Sequence, residues 1–134
     1  MNSRLVRLMF LALVAAMLYS INRFLMIPQW QDVAFLKDYL GDALALPVYI
    51  PLSFYIALRL HLISNDFNLR LTHIIGAVLI FSLVFEGIIP VIDSHSVRDP
   101  VDILAYLGGG LLVYCVSAIG TVKSIDIKNE ESVR

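Results

Sequence analysis

The sequence predicts an all-α integral membrane protein, a four-helix bundle with both termini in the cytoplasm (N-in/C-in). Three observations predict it. Apolar residues make up 59% of the 134-residue chain, above the roughly 45–50% of a soluble domain, and mean hydropathy is +0.81. Four apolar runs each reach the roughly 20 residues that carry a helix across about 30 Å of hydrocarbon, and only helices or closed barrels satisfy the backbone there. Basic residues also gather at alternate connections. Arg4, Arg7, Arg59, Arg70, Lys123, Lys128 and Arg134 fall on the side expected to be cytoplasmic, and only Arg23, Lys37 and Arg98 on the other. At this length one domain is expected, a four-span membrane domain over residues 1–123 with a cytoplasmic charged tail over 124–134.

Span one covers about residues 5–27, interrupted by Asn22-Arg23. Its start, two arginines followed by an apolar run, superficially matches a signal peptide, and Ala12, Ala15 and Ala16 mimic a cleavage region. The apolar run continues to Ile21 and resumes after Arg23, so an uncleaved first span is expected. Residues 28–38 contain Trp30 and Phe35 and predict an amphipathic stretch at the outer interface, with Trp30 as its anchor. Span two covers about 39–62. Its Pro47 and Pro51 each remove a backbone donor and predict a kink. Asn65-Asp66-Phe67-Asn68 reads as a turn in which Asn68 or Asp66 caps span three, about 71–90. Span four covers about 101–122, with Asp99 as N-cap, Pro100 at the first helical position and Asp102 at the third. The charged tail is expected to fray. Ala12-x-x-x-Ala16, Ala105-x-x-x-Gly109 and the run Gly108-Gly109-Gly110 supply small surfaces for close helix packing. Cys115, the single cysteine, is expected to be buried and inert.

Seven of the eleven acidic residues lie at the end predicted to be extracytoplasmic, together with Arg23, His95 and Arg98. Charges near hydrocarbon are costly and mark functional sites by default. Asp99 and Asp102 have a simpler role open to them, as both meet the positive end of the span-four dipole. Glu86 lies about one turn before Pro90 inside an apolar run, and an inward side chain paired with Arg98 or Arg23, or held protonated, is the preferred reading. Asp42 repeats the pattern of Asp102 in the first turn of span two, and Arg23 offers a cation at the end of span one. Headgroup snorkelling would account for both. The sharper expectation gathers Arg23, Asp42, Glu86, Arg98 and Asp102, with Tyr106 one turn below Asp102, around one outward-facing ligand pocket. No ligand motif points to a metal or other cofactor, no basic–aromatic pattern to nucleic acid, and Ser94-His95-Ser96 is adjacency rather than a triad. His61 and His73, at the other end, are expected to meet headgroups or cap turns.

The run Phe85-Glu86, then Arg98-Asp99-Pro100-Val101-Asp102-Ile103-Leu104-Ala105-Tyr106-Leu107-Gly108-Gly109, resembles the VanZ-like bacterial membrane proteins over about a quarter of the chain. In that family a glutamate ends one span, an extracytoplasmic arginine follows, and an aspartate opens the next. Glu86, Arg98, Asp102 and Gly108 fit that order, while Gly87, Ile88 and Ile89 stand where the family has a glutamine and Tyr106 where it has an asparagine. The resemblance implies a multi-pass protein of the bacterial cytoplasmic (inner) membrane, associated with glycopeptide resistance through the cell envelope. Asn22-Arg23-Phe24 and Gly41-Asp42-Ala43-Leu44-Ala45-Leu46-Pro47 are also similar to small four-span bacterial proteins, some labelled magnesium–citrate secondary transporters. So short a chain leaves little room for alternating access without a homo-oligomer. The expected function is recognition of an envelope lipid headgroup or glycan-linked ligand, with membrane lipids as partners. The arginines would take anionic groups, and Asp42, Glu86 and Asp102 would orient those arginines or accept sugar hydroxyls. Its rivals are a proton- or cation-coupled transporter using Glu86, a structural or assembly subunit, and, weakest for want of a motif, an enzyme with Glu86 or His95 as general base.

Overall fold

A computed structural model describes residues 3–29, 32–33, 35–93 and 99–133. In chain order the elements are α1 (Ser3–Ile21), a π-helical turn π1 (Asn22–Met26), α2 (Ile27–Gln29), π2 (Phe35–Tyr39), α3 (Leu40–Arg59), α4 (Leu71–Ser82), π3 (Leu83–Ile88), α5 (Ile89–Ile92) and α6 (Pro100–Val133). Among the described residues there is no strand. Four stretches are long and apolar enough to cross a membrane: Ser3–Met26, Leu40–Arg59, Leu71–Ile92 and Pro100–Ile119. They match the four spans read from the sequence.

Helices α3 and α6 form the central pair. α1 packs on both, and α4 packs on α6 while barely touching α3. Two small cores follow among the described residues. Leu5, Leu8, Phe54, Ile74 and Val113 pack together toward the chain termini, and Leu46, Val78 and Tyr106 pack toward the opposite end. The outside is as apolar as the inside. Phe10, Phe24, Leu79 and Leu104 are each at least 63% exposed, and large exposed apolar surfaces mark sites of contact with a partner or a membrane.

Close packing between α3 and α6 depends on a proline and a glycine together. Pro47 is fully buried and has no N–H, so the Ala43 carbonyl four residues earlier loses its helical donor. Gly109 lies directly on that carbonyl. A Cβ added there would sit 2.9 Å from Pro47 Cδ and closer still to the Ala43 oxygen. Gly110 faces α4 instead, where an added Cβ would meet Ile74 Cγ2 at 2.7 Å, and Gly108 faces open space. α3 continues through both prolines.

The connections differ from expectation in instructive ways. α3 stops at Arg59, short of residue 62, because His61 adopts φ 56°. Its N–H bonds to the Leu58 carbonyl (3.1 Å) and that of Leu62 to the Ala57 carbonyl (2.9 Å), the bond pair of a Schellman stop. Neither Asn68 nor Asp66 caps α4. Arg70 takes the N-cap position in extended conformation, and its N–H donates to His73 Nδ1 (3.0 Å). Arg4 Nη1 donates to the Phe67 carbonyl (2.9 Å), tying the N-terminal turn to this connection. α6 does not end near Val122 but runs through the charged tail to Val133. The tail has no proline, and a helix satisfies its backbone locally without a packed partner. Cys115, expected inside, is exposed on α6, because Val113 and Ser117 take the buried face. Trp30, the expected anchor, lies outside the described residues.

Candidate functional site

The three π-turns among the described residues fall at the end of the bundle away from the termini, and each brings polar groups to it: Asn22 and Arg23 on π1, Asp38 and Tyr39 on π2, Glu86 on π3. Single π-turns inside helices are uncommon and concentrate at functional sites. The first turns of α3 and α6 add Asp42 and Asp102.

Asp99 organises the start of α6. Its Oδ1 accepts from the Val101 N–H (2.9 Å), so it is the expected N-cap. In a capping box the third helical residue would return to the N-cap N–H, and here that residue is Asp102. The Asp99 N–H donates instead to Glu86 Oε2 (3.1 Å). A glutamate from the neighbouring span thus completes the cap, and Asp102 is released from it. Tyr39 Oη donates to Asp99 Oδ2 (2.9 Å) and ties π2 to the same point. This bond, with the negative charge of Asp99, raises the Tyr39 phenol above its ordinary value of 10.

Asp42, Glu86 and Asp102 lie behind this cap, near enough for their charges to act on one another. Tyr106, only 3% exposed, donates to Asp42 Oδ1 at 3.3 Å, a long and therefore weak bond. Its ring is held edge-on by Phe81, with centroids 5.9 Å apart, and also touches Phe85. Among the described residues no three His, Cys, Asp or Glu side chains are arranged to hold a metal ion.

Asp42 also faces the other way, into a cavity of about 500 Å³ between α1, π1 and α3. Arg23, Asn22, Asp38, Tyr19, Tyr49 and Phe85 line it, with Ala16, Leu44, Ala45 and Val48 as an apolar wall. The expected pocket is therefore divided. Arg23 and Asp42 line the cavity, whereas Glu86, Asp102 and Tyr106 stand behind Asp42 among the helices. Arg98 and His95 lie outside the described residues.

Asn22 was legible in the sequence only as an interruption of span one. It is 2% exposed. Its Nδ2 donates to the Leu36 carbonyl (2.8 Å), which fixes the amide and leaves Oδ1 with no partner among the described residues. A buried acceptor left unsatisfied costs about 1–3 kcal/mol. An asparagine deep in an apolar run was the signal that could have found it. Asp38, Tyr19 and Tyr49 gave none, because they reach the cavity only through the pairing of α1 with α3. Comparison with protein-family models, curated protein sequences and solved structures finds no match to this chain.

Proposed function

We propose that this chain is a multi-pass protein of the bacterial inner membrane, N-in/C-in and VanZ-like, that binds the headgroup of an envelope lipid or a glycan-linked ligand in the cavity beside α1. What carries the reading is the lining of that cavity, which joins Arg23, Asp38 and Asp42 to an apolar wall built from two spans. A guanidinium suits phosphate or carboxylate, carboxylates suit hydroxyl or ammonium donors, and the apolar wall suits a chain that continues into the bilayer. The distribution of basic residues supports the orientation.

The remaining acids have a different part. Glu86 and Tyr39 each bond to Asp99 and tie π3, π2 and α6 together, so they shape the cavity without lining it. The test is native mass spectrometry of detergent-extracted protein beside its thermal stability. Wild type should retain a bound lipid, and Arg23→Ala should release it and melt as delipidated wild type does, since Arg23 is an exposed side chain. A wild type that retains nothing would remove the ligand-binding reading and leave a polar network that only joins helices.

A further inference from the structure

The cavity is rich in acceptors and its most buried polar group has no donor among the described residues. Asn22 lines it at 2% exposure, and the 2.8 Å bond from Nδ2 to the Leu36 carbonyl commits the amide, so Oδ1 is the unpaired atom. An N–H or O–H donor, from a ligand or an ordered water, would satisfy it. Asp38 and Asp42 stand on the same lining, and so do the rings of Tyr19, Tyr49 and Phe85. Carboxylates attract a cation, and the negative faces of aromatic rings do so as well. Among the described residues of this lining, Arg23 supplies the one opposite charge, suited to a phosphate.

We infer that the cavity takes a primary ammonium joined to a phosphate ester, the head of an ethanolamine phospholipid. The ammonium N–H groups meet Asn22 Oδ1 and the carboxylates of Asp38 and Asp42, and the phosphate meets Arg23. This rests on the headgroup-binding reading above and narrows it to one chemistry. A trimethylammonium head carries the same charge but no N–H, and so leaves Asn22 unsatisfied. A glycerol head supplies hydroxyls but no cation for the two carboxylates. The apolar wall of Leu44, Ala45 and Val48 lies on a span, which favours a lipid over a free phosphate ester.

The experiment offers the delipidated full chain, in mild detergent, an equimolar mixture of chain-matched phosphatidylethanolamine, phosphatidylcholine and phosphatidylglycerol, read by native mass spectrometry. The ethanolamine lipid should be retained about tenfold over each of the others, the scale of one charge-assisted hydrogen bond. Asp38→Asn, at an exposed position, should reduce that preference severalfold without loss of folding. Equal retention of the three lipids, a preference for phosphatidylglycerol, or an undiminished preference in Asp38→Asn would overturn the ammonium assignment and leave a less selective headgroup pocket standing. Retention of none would overturn both readings. Free O-phosphoethanolamine binding as tightly as the lipid would overturn the lipid as the source of the ligand.

Discussion

Tyr39 shows how one side chain couples this end of the protein to pH. Its phenol donates to Asp99, and the folded protein holds it above its ordinary value of 10 because ionisation would lose that bond and set two negative charges together. A group whose folded value is raised contributes stability below its unfolded value and loses it as pH climbs through the folded one. The bond therefore stabilises the α6 cap at neutral pH and fails only in strong alkali. Thermal melts from about pH 8 to pH 11 should show wild type losing stability above about pH 10 more steeply than Tyr39→Phe, which has no phenol to ionise at this position. Parallel curves would mean that the bond contributes nothing. Asp99 is where reading by residue type worked best, since an Asp-Pro pair ahead of an apolar run is the usual chemistry of a helix start. The role of Glu86 could not be read that way. It completes a cap thirteen residues away in sequence, and no local pattern records such a bond.

At the scale of the helix, the three glycines of α6 point in three directions, and their substitutions should separate accordingly. Gly109→Ala forces a methyl group onto the Ala43 carbonyl, a backbone atom that cannot swing aside. Overpacking typically costs about 1–3 kcal/mol, and this case belongs at the upper end or beyond. Gly108→Ala meets nothing within 4 Å and should be neutral or slightly stabilising through helix propensity. Melting temperatures of the two variants in detergent provide the check, and similar values would contradict the packing described. The apolar runs made all four spans legible, because a 20-residue hydrophobic stretch has one common solution in lipid. The small-residue pattern showed that α6 packs closely, but not which glycine faces α3. That depends on Pro47 uncovering a carbonyl in another helix. The π-turns were illegible as well, since their extra residue leaves no compositional trace.

For the whole molecule, the governing fact is an apolar exterior wrapped around a small core. Cys115 provides a probe of it, because its exposed side chain shares α6 with the exposed Leu111, Leu112 and Ile119. If that face meets lipid, a membrane-impermeant maleimide should leave Cys115 unmodified in intact membranes and react after denaturation in detergent, as reaction needs a thiolate and access to water. Rapid labelling in membranes would place this face in water. α6 also extends well past its apolar stretch. From Ile119 to Val133 it projects roughly 20 Å at about 1.5 Å per residue, on the side of the chain termini. The glycine run within it has a consequence for how the protein tolerates changes in length. One residue inserted between Asp102 and Gly108 turns the following helix by about 100°, bringing Gly108 to the α3 contact and Gly109 to the α4 contact, so both keep a glycine. One residue deleted there brings Leu111 against Ile74. The bundle thus carries a spare small residue for insertions and none for deletions.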